Sequence, residues 1–363
     1  MAVAFFTGFP GFLGVQLLPR VLARDPELRA VCLVQAKFAD LARNRVDELV
    51  AADASLEGRI ELVEGDITVD DLGLDDPARL AADITEVWHL AAVYDLAVPR
   101  DVGMRINVVG TEHVLRFAES APGLTRHQYV STCYVSGRYA GPFAESDLDV
   151  GQRFNNFYEE TKFLAEVAVA ERMRGGMPTS IYRPAIVVGD STTGQTQKFD
   201  GPYFATQWLL RQKLRLTVMP VIGDPTAVRF NVVPRDFVVD AIAALSGDDR
   251  SKDRVYQLAD PKPLTVDELL DAMGAATDKR IVKVPISRGL AKFAVEKIPG
   301  VHDLLRIPSD AIDYFSHPTH YLTTNASADL ETHGISCPRL VDYLPTLVAF
   351  QRSHPEISHH AMI

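Results

Sequence analysis

The amino-acid sequence predicts an α/β fold built on a parallel sheet that helices cover on both faces. Two observations predict it: short, nearly continuous apolar runs recur through the first two thirds of the chain, and amphipathic helical stretches separate them. The helical spacing of apolar residues is clearest at 13–25 and 110–121. The predicted strands are 3–8, 29–35, 59–66, 86–92, 127–132 and 179–189. Sheets of this kind bind ligands at the carboxyl ends of their strands.

A glycine-rich turn, TGFPGFLG, lies between the first predicted strand and the first predicted helix. Glycines at 8, 11 and 14 permit a tight turn close to a pyrophosphate, and the helix N-terminus supplies N–H donors and a positive dipole. In this context the turn is the dinucleotide fingerprint of a Rossmann-type, doubly wound sheet. Pro10 helps to set the turn and biases Phe9 toward an extended conformation. The predicted phosphate-binding residues are Thr7, Gly8, Phe9, Pro10, Gly11, Phe12, Leu13 and Gly14, chiefly through the amides of Phe12 and Leu13.

The end of the second predicted strand indicates which dinucleotide is bound. NAD enzymes usually carry an acidic residue there for the ribose 2′-hydroxyl. This strand instead ends LVQAK, with Gln35 and Lys37, followed by Arg43 on the next helix. A neutral or basic pocket favours the 2′-phosphate of NADP, so we predict NADPH as the cofactor. The alternative is that these side chains are only the exposed face of the next helix.

The alternation of strands and helices stops after residue 190, which predicts a second lobe. Residues 191–203 are polar and turn-rich, as is typical of a long loop near a site. Strand and helix patterns return at 229–260, and the later sequence is first helical and then irregular with many prolines. We predict an NADP-binding Rossmann domain at 1–190, which 229–260 rejoin. A smaller, mainly helical substrate-binding lobe would comprise 191–228 and 261–363.

Composition excludes several classes of protein. The net charge of −11 argues against nucleic-acid binding, which depends on basic surface. Cys32, Cys133 and Cys337 have no metal-ligand or disulfide spacing, so we expect no metal and a reducing, cytoplasmic location. There is no apolar run of about 18 residues for a transmembrane helix. The mixed apolar and basic stretch 288–308 is interpreted as packing on the C-terminal lobe, with a lid or peripheral membrane patch as the alternative.

Three residues predict the chemistry. Tyr158 and Lys162, in YEETK, lie four residues apart and so share one face of a predicted helix. A lysine beside a phenol stabilises the phenolate, which lets the tyrosine exchange a proton near neutral pH. Thr132 lies at the end of the fifth predicted strand, where its hydroxyl can hold a substrate oxygen. An isolated Tyr-x-x-x-Lys is usually only an exposed helix face, and a threonine here can bond its own backbone.

Taken together, the motifs resemble those of extended short-chain dehydrogenase/reductases over about the first 260 residues. They occur in the family's order: TGFPGFLG, GDI with Asp66, HLAA at 89–92, INVVGT with Asn107, STCYVSG, YEETK, and YRP at 182–184. The resemblance implies that Tyr158 is the acid/base, Lys162 binds the nicotinamide ribose, and Thr132 takes the place of the usual Ser/Thr. It implies an adenine contact for Asp66 and a mainly architectural role for Asn107. The further cofactor-lining residues that it implies are Ile67, Leu90, Ala91, Ala92, Pro184, Ile186 and Val187.

A narrower resemblance points to a substrate. The stretches HLAAVYDLAV, YRPAIVVGDSTTGQTQKFDGPYF and NVVPRDFVVDAI resemble the reductase module of bacterial fatty acyl-CoA reductases, thioester reductases and male-sterility-type proteins. This implies NADPH-dependent reduction of a fatty acyl thioester, carried on CoA or on an acyl carrier protein, to an aldehyde or further to an alcohol. A homodimer is expected by resemblance only. The predicted substrate-lining residues are Tyr94, Cys133, Tyr134, Lys198 and Tyr203.

Two alternatives stay open at this point. The first is a dehydrogenase of another hydrophobic alcohol or ketone, such as a hydroxysteroid, or a sugar-nucleotide epimerase or dehydratase. These share the Tyr–Lys pair, but the sugar-nucleotide enzymes typically lack the long TTGxxxKxDGPY loop. The second is a non-catalytic NADP sensor, against which the presence of Thr132, Tyr158 and Lys162 argues, because a sensor is free to lose the tyrosine.

Overall fold

A computed structural model describes residues 2–222, 224–286 and 317–357. The strands are β1 (Val3–Thr7), β2 (Arg29–Val34), β3 (Ile60–Glu64), β4 (Glu86–His89), β5 (Arg126–Val130), β6 (Gly141–Phe143), β7 (Thr179–Pro184), β8 (Ile186–Val188), β9 (Leu216–Ile222), β10 (Arg229–Phe230), β11 (Val232–Pro234), β12 (Arg254–Leu258), β13 (Leu264–Thr265), β14 (Arg280–Ile286) and β15 (Thr319–Tyr321). The α-helices are α1 (Gly14–Leu22), α2 (Ala39–Ala52), α3 (Pro77–Asp83), α4 (Arg100–Gly103), α5 (Gly110–Ser120), α6 (Phe157–Arg174), α7 (Tyr203–Arg211), α8 (Arg235–Gly247), α9 (Val266–Thr277), α10 (Thr324–Glu331) and α11 (Leu340–Ser353).

The central sheet has seven parallel strands in the order β3-β2-β1-β4-β5-β7-β12. The strand order reverses between β1 and β4, which is the point where doubly wound sheets open a crevice for a ligand. The predicted fold class, a Rossmann-type doubly wound parallel sheet, is therefore confirmed. The glycine turn follows β1 and therefore lies at this crevice.

Alternating side chains place two separate layers of apolar packing on the sheet. Phe6 and Trp88 stack with ring centroids 5.2 Å apart on the face that α1 and α8 cover. Phe5 and Tyr129 point to the other face, which α5 and α6 cover. Both layers are buried, so the hydrophobic effect fixes the register of the strands as well as the placement of the helices.

The predicted strand 179–189 is in fact two strands. β7 ends at Pro184, which has no N–H to donate to the ladder, and the chain then changes partner. The amide of Ala185 still bonds the carbonyl of Leu258 at 3.0 Å, but β8 pairs in parallel with β11 outside the central sheet. The other predicted strands extend past the carboxyl ends of the observed strands, because the residues there turn away from the sheet to form loops at its edge.

A second apolar cluster lies around α7, α9 and α11. It includes the parallel pair β9–β14, so this region contains a small sheet as well as the predicted helices. Tyr321, Ala326 and Leu330, from β15 and α10, pack instead in the cluster of the central sheet. The boundaries given above for the two lobes stay a prediction.

Membrane contact was one of the open questions. Within the described ranges, each helix is too short or too polar to cross a bilayer. The stretch 288–308, interpreted above as lobe packing or a lid, lies outside the described residues.

Candidate active site

The glycine turn follows β1 and can be built only from glycines. Gly8 has a φ of +89°, and a Cβ there would lie 2.8 Å from the amide nitrogen of Ala91. A Cβ on Gly11 or Gly14 would lie 2.7 Å from the carbonyl oxygen of Gly8, which accepts the Gly11 amide at 2.9 Å. The intervening Phe9–Pro10 peptide bond is cis. These contacts bring the backbone of all three glycines into one tight cradle.

The start of α1 fits a pyrophosphate. Its N-cap, Leu13, makes no capping hydrogen bond through its side chain, and the Val15 and Gln16 amides already donate to the carbonyls of Gly11 and Leu13. The anion-binding amides are therefore expected just before them, as predicted for Phe12 and Leu13. The sequence did not single out Arg235, which begins α8. Its guanidinium lies 5.3 Å from the ring centroid of Phe12, beside the turn, although 223 positions separate the two residues in sequence. This guanidinium is buried and pairs with the Asp190 carboxylate at 3.5 Å, so its charge beside the turn is partly compensated.

We expect Gly8→Ala to weaken NADPH binding about tenfold or more. The methyl group would clash with backbone at Leu90 and Ala91, and alanine is strained at this φ. Titration of NADPH fluorescence measures the affinity. Gly58→Ala is the matched control, because Gly58 has a φ of +70° but open space around its Cβ position. An equal loss of affinity in both variants would show that the clash is not the cause.

The residues predicted at the adenosine end are partly brought together. Gln35 donates through its side-chain amide to the carboxylate of Asp66 at 2.8 Å, and Asp66 also accepts the amide of Thr68 at 2.8 Å. Lys37 is exposed, with its ammonium 5.0 Å from the ring centroid of Phe38. Arg43, also exposed, forms an ion pair with Asp40. The roles of these side chains toward a 2′-phosphate stay predictions.

The predicted hydroxyl donor, Thr132, follows β5 directly and caps a short 3-10 turn. Its Oγ1 accepts the amide of Tyr134 at 3.2 Å and donates to the carbonyl of Pro184 at 3.4 Å. Both partners lie at the carboxyl edge of the sheet. The hydroxyl is therefore fixed at the place where parallel sheets bind ligands.

Tyr158 lies in the first turn of α6, and its phenol interacts with the Thr132 side chain. The helix begins there because the Asn156 side chain accepts the Glu159 amide at 3.0 Å. Burial raises the pKa of Tyr158 to about 12, and the interaction with Thr132 opposes this rise. The phenol is therefore a neutral O–H donor at physiological pH.

Lys162 lies one turn after Tyr158 and is 3% exposed. Its ammonium donates to the Tyr129 hydroxyl and to the Val130 carbonyl, each at 3.0 Å. Burial lowers the pKa of Lys162 to about 8, and the carboxylate of Glu166 opposes this shift. The sequence predicts that the lysine lowers the pKa of Tyr158. In this structure the pKa of the phenol is instead raised by burial, and the Lys162 ammonium donates to oxygens of β5.

The predicted substrate-lining residues divide into two groups. Tyr94 is exposed, and the ammonium of Lys198 lies 4.1 Å from its ring centroid. The Cys133 thiol is fully buried and donates to the Arg183 carbonyl at 3.0 Å. Tyr134 and Tyr203 are also buried, Tyr203 as the acceptor of the Gly189 amide at 2.9 Å. The roles of these residues toward a substrate stay predictions.

The remaining predicted residues have mainly backbone or packing contacts. Asn107 accepts the Val93 amide at 2.9 Å and donates to Thr161 at 3.1 Å, as an architectural role requires. The Ala91 amide donates to the Thr7 hydroxyl at 3.3 Å. Ile67, Leu90, Ala92, Ile186 and Val187 are buried or half-buried near the ends of the strands. Among the described residues, His, Cys, Asp and Glu form no group suited to a metal ion.

Comparisons with known proteins agree on this architecture. The family model described as male sterility protein matches residues 6–242. Glycine betaine reductase of Emericella nidulans is 30% identical over 294 residues, which are 75% of this chain and 22% of that protein. The first three curated relatives are much longer proteins, of which the chain spans between 5% and 25%.

Solved structures give the same fold. The terminal R domain from the myxalamid PKS-NRPS biosynthetic pathway has a TM-score of 0.80 at 24% identity, covering 98% of this chain and 91% of that one. A thiolation-reductase di-domain from an archaeal non-ribosomal peptide synthetase has a TM-score of 0.76 at 22% identity, covering 98% and 76%. The match to the family model covers more than half of the sequence, so the chain belongs to the male sterility protein family.

Proposed function

We propose that the protein is an NADPH-dependent reductase that converts a carrier-bound acyl or aminoacyl thioester to the aldehyde. The observation that carries this proposal is the placement of the buried Tyr158 phenol beside the Thr132 side chain, one helical turn before the buried Lys162, at the carboxyl edge of the sheet. The relatives named above support a thioester substrate, since they include a terminal reductase domain and a reductase joined to a thiolation domain. A fatty acyl-CoA is the second form that the substrate can take.

The proposed reaction uses two hydroxyls as an oxyanion site. Tyr158 and Thr132 donate hydrogen bonds to the carbonyl oxygen of the thioester, which gains negative charge as the carbon is reduced. For this, the Thr132 hydroxyl rotates its one proton from the Pro184 carbonyl to the substrate. The glycine turn and the start of α1 would hold NADPH, which would supply the hydride. Tyr158 gives its proton to the oxygen, and the hemithioacetal then loses its thiol to leave the aldehyde. Lys162, as the ammonium, stabilises the tyrosinate that remains.

The preference for NADPH is part of the proposal. Lys37 and Arg43 are exposed cations after β2, and Gln35 stands where an NAD enzyme usually has an acid. Exposed guanidinium and ammonium groups suit a phosphate better than a ribose hydroxyl. Asp66 is already hydrogen-bonded to Gln35, which orients both side chains next to each other.

A substrate panel tests the proposal. We expect oxidation of NADPH with an aminoacyl or acyl thioester on a phosphopantetheine-bearing carrier protein, and a slower or absent reaction with NADH. Acyl-CoAs, fatty aldehydes, ketosteroids and UDP-sugars complete the panel. Trapping the product with a hydroxylamine identifies the aldehyde. The matched control is the same acyl group as a free acid, which has no thiol to lose.

Each arm of the panel has a distinct meaning. Turnover of ketosteroids or UDP-sugars without turnover of any thioester would overturn the proposal. Tight NADPH binding without turnover of any compound would replace it by the sensor alternative. A reaction with acyl-CoA but with no carrier-bound substrate would retain the chemistry and correct the carrier.

A further inference from the structure

Tyr129 is a buried tyrosine that the proposed reaction does not use. It lies on β5, three residues before Thr132, and is 1% exposed. The sheet register places it directly beside His89 on β4, and His89 directly beside Thr7 on β1. Three neighbouring strands thus present polar side chains at one level of the same face, which is otherwise apolar. A row of buried polar groups in such a layer requires mutual hydrogen bonds.

The hydrogen bonds of this row have a definite direction. The Thr111 hydroxyl donates its one proton to the Asn107 carbonyl at 2.6 Å, so toward His89, 2.9 Å away, it is the acceptor. His89 therefore carries its proton on Nε2, and its Nδ1 accepts from the Thr7 hydroxyl at 2.7 Å. Burial lowers the pKa of His89 well below its usual value, which agrees with a neutral ring.

Tyr129 lies between the lysine and this row of polar groups. Its hydroxyl oxygen accepts from the Lys162 ammonium at 3.0 Å, and it interacts with the Thr111 hydroxyl. Thr111 in turn contacts His89, which contacts Thr7 at the edge of the glycine turn.

We propose that Tyr129 is the positioning residue for Lys162: it orients the ammonium so that the third N–H points into the site. The proposal rests on the catalytic role proposed above for Lys162. An ammonium has three donors, and Tyr129 and the Val130 carbonyl hold two of them. The lysine side chain otherwise has many rotamers, so two fixed acceptors remove the entropy cost of ordering it during the reaction. Tyr129 is itself buried, with the His89 ring centroid 5.5 Å from its own, so it is a rigid acceptor.

The expected effect of Tyr129→Phe follows from removing one acceptor of a buried cation. Without the phenol oxygen, the neutral amine is favoured, so the pKa of Lys162 falls further. The ammonium is the active form, and it loses its proton as the pH rises. A lower pKa of Lys162 therefore means that the variant loses activity at a lower pH than the unchanged protein does. The charged or titratable groups that face Lys162 are Tyr129 on β5, His89 on β4, Tyr158 and Glu166 on α6, and Arg183 on β7 through Glu166.

The test combines kinetics with a direct titration of the lysine. Hydrogen bonds to a charged group are strong, so we expect kcat of Tyr129→Phe to fall roughly ten- to hundredfold, with KM little changed. We expect the alkaline limb of the pH–rate profile to move down by about one pH unit. NMR of protein with ¹⁵N-labelled lysine, assigned with Lys162→Met, follows the Lys162 amine without any substrate. That arm remains informative if the proposed thioester activity is wrong.

Tyr182→Phe is the matched control. Tyr182 is equally buried on the adjacent strand β7, but its hydroxyl donates to Gln128 at 2.8 Å and not to the lysine. Thr111→Val and Thr111→Ser provide a second pair of variants. Valine removes the hydroxyl that interacts with Tyr129, whereas serine keeps it. If Tyr129→Phe is poorly folded, this pair carries the test, with a smaller shift expected for valine than for loss of the phenol. A Lys162 titration and pH profile equal to those of Tyr182→Phe would overturn the proposal.

Discussion

Tyr158→Phe is expected to lower kcat for thioester reduction by about 10²- to 10⁴-fold, the usual contribution of a positioned general acid. Phenylalanine keeps the ring but removes the proton that the carbonyl oxygen receives and one of its two hydrogen-bond donors. The structure holds this phenol as a neutral donor, since burial raises its pKa to about 12. Initial rates of NADPH oxidation with the carrier-bound substrate measure the effect.

Two comparisons make this result specific. NADPH affinity should be unchanged, because the glycine turn and the start of α1 are left intact. Tyr256→Phe is the control variant: it also removes a buried hydroxyl, which donates to Asp329 at 2.7 Å on the far edge strand β12. A Tyr158→Phe enzyme with a near-normal kcat would remove Tyr158 from the mechanism.

Glu166→Gln is expected to destabilise the protein by about 3–5 kcal/mol. The carboxylate is fully buried and accepts from Arg183 at 2.6 and 2.8 Å, and from the Ser131 hydroxyl. Glutamine preserves the volume but leaves the Arg183 guanidinium, only 1% exposed, without its counter-charge. Such a loss is a large share of the stability of a typical domain. Urea unfolding, with the midpoint and slope fitted together, measures the free energy.

The control is an ion pair on the same helix that differs in burial. Arg172 of α6 contacts Glu112 at 2.8 Å, but both side chains are partly exposed. Water already solvates these charges, so Glu112→Gln should cost no more than about 1 kcal/mol. Equal losses for the two variants would mean that the Glu166–Arg183 pair contributes no more than an ordinary surface pair.

The sequence was sufficient for the parts of the site that depend on local geometry. The glycine turn lies between one strand and the next helix, and the spacing of Tyr158 and Lys162 is fixed by a single turn of helix. Thr132 follows from the rule that parallel sheets bind ligands at their carboxyl ends. Each of these positions can be placed without knowing which strands are neighbours.

Other features depend on pairings that are distant in sequence. The hydroxyl of Tyr129 meets Lys162 only because α6 packs over β5, so in sequence the residue is simply one more buried aromatic. Arg235 reaches Phe12 because α8 and α1 cover the same face of the sheet. The buried backbone contacts of Cys133, with the Arg183 carbonyl, and of Tyr203, with the Gly189 amide, are likewise not indicated by the sequence.

The separation of the apolar clusters has a consequence for how the protein can diversify. The cluster around α7, α9 and α11 is distinct from the layers on either face of the central sheet, and it includes Tyr134 and Val188, which lie beside the catalytic strands. Substitutions at distant sites with no shared partners have nearly additive effects on stability. Tyr134 contacts Tyr321 of the central-sheet cluster, but residues of α7, α9 and α11 that lie away from this contact can change with little effect on the packing around Thr132, Tyr158 and Lys162.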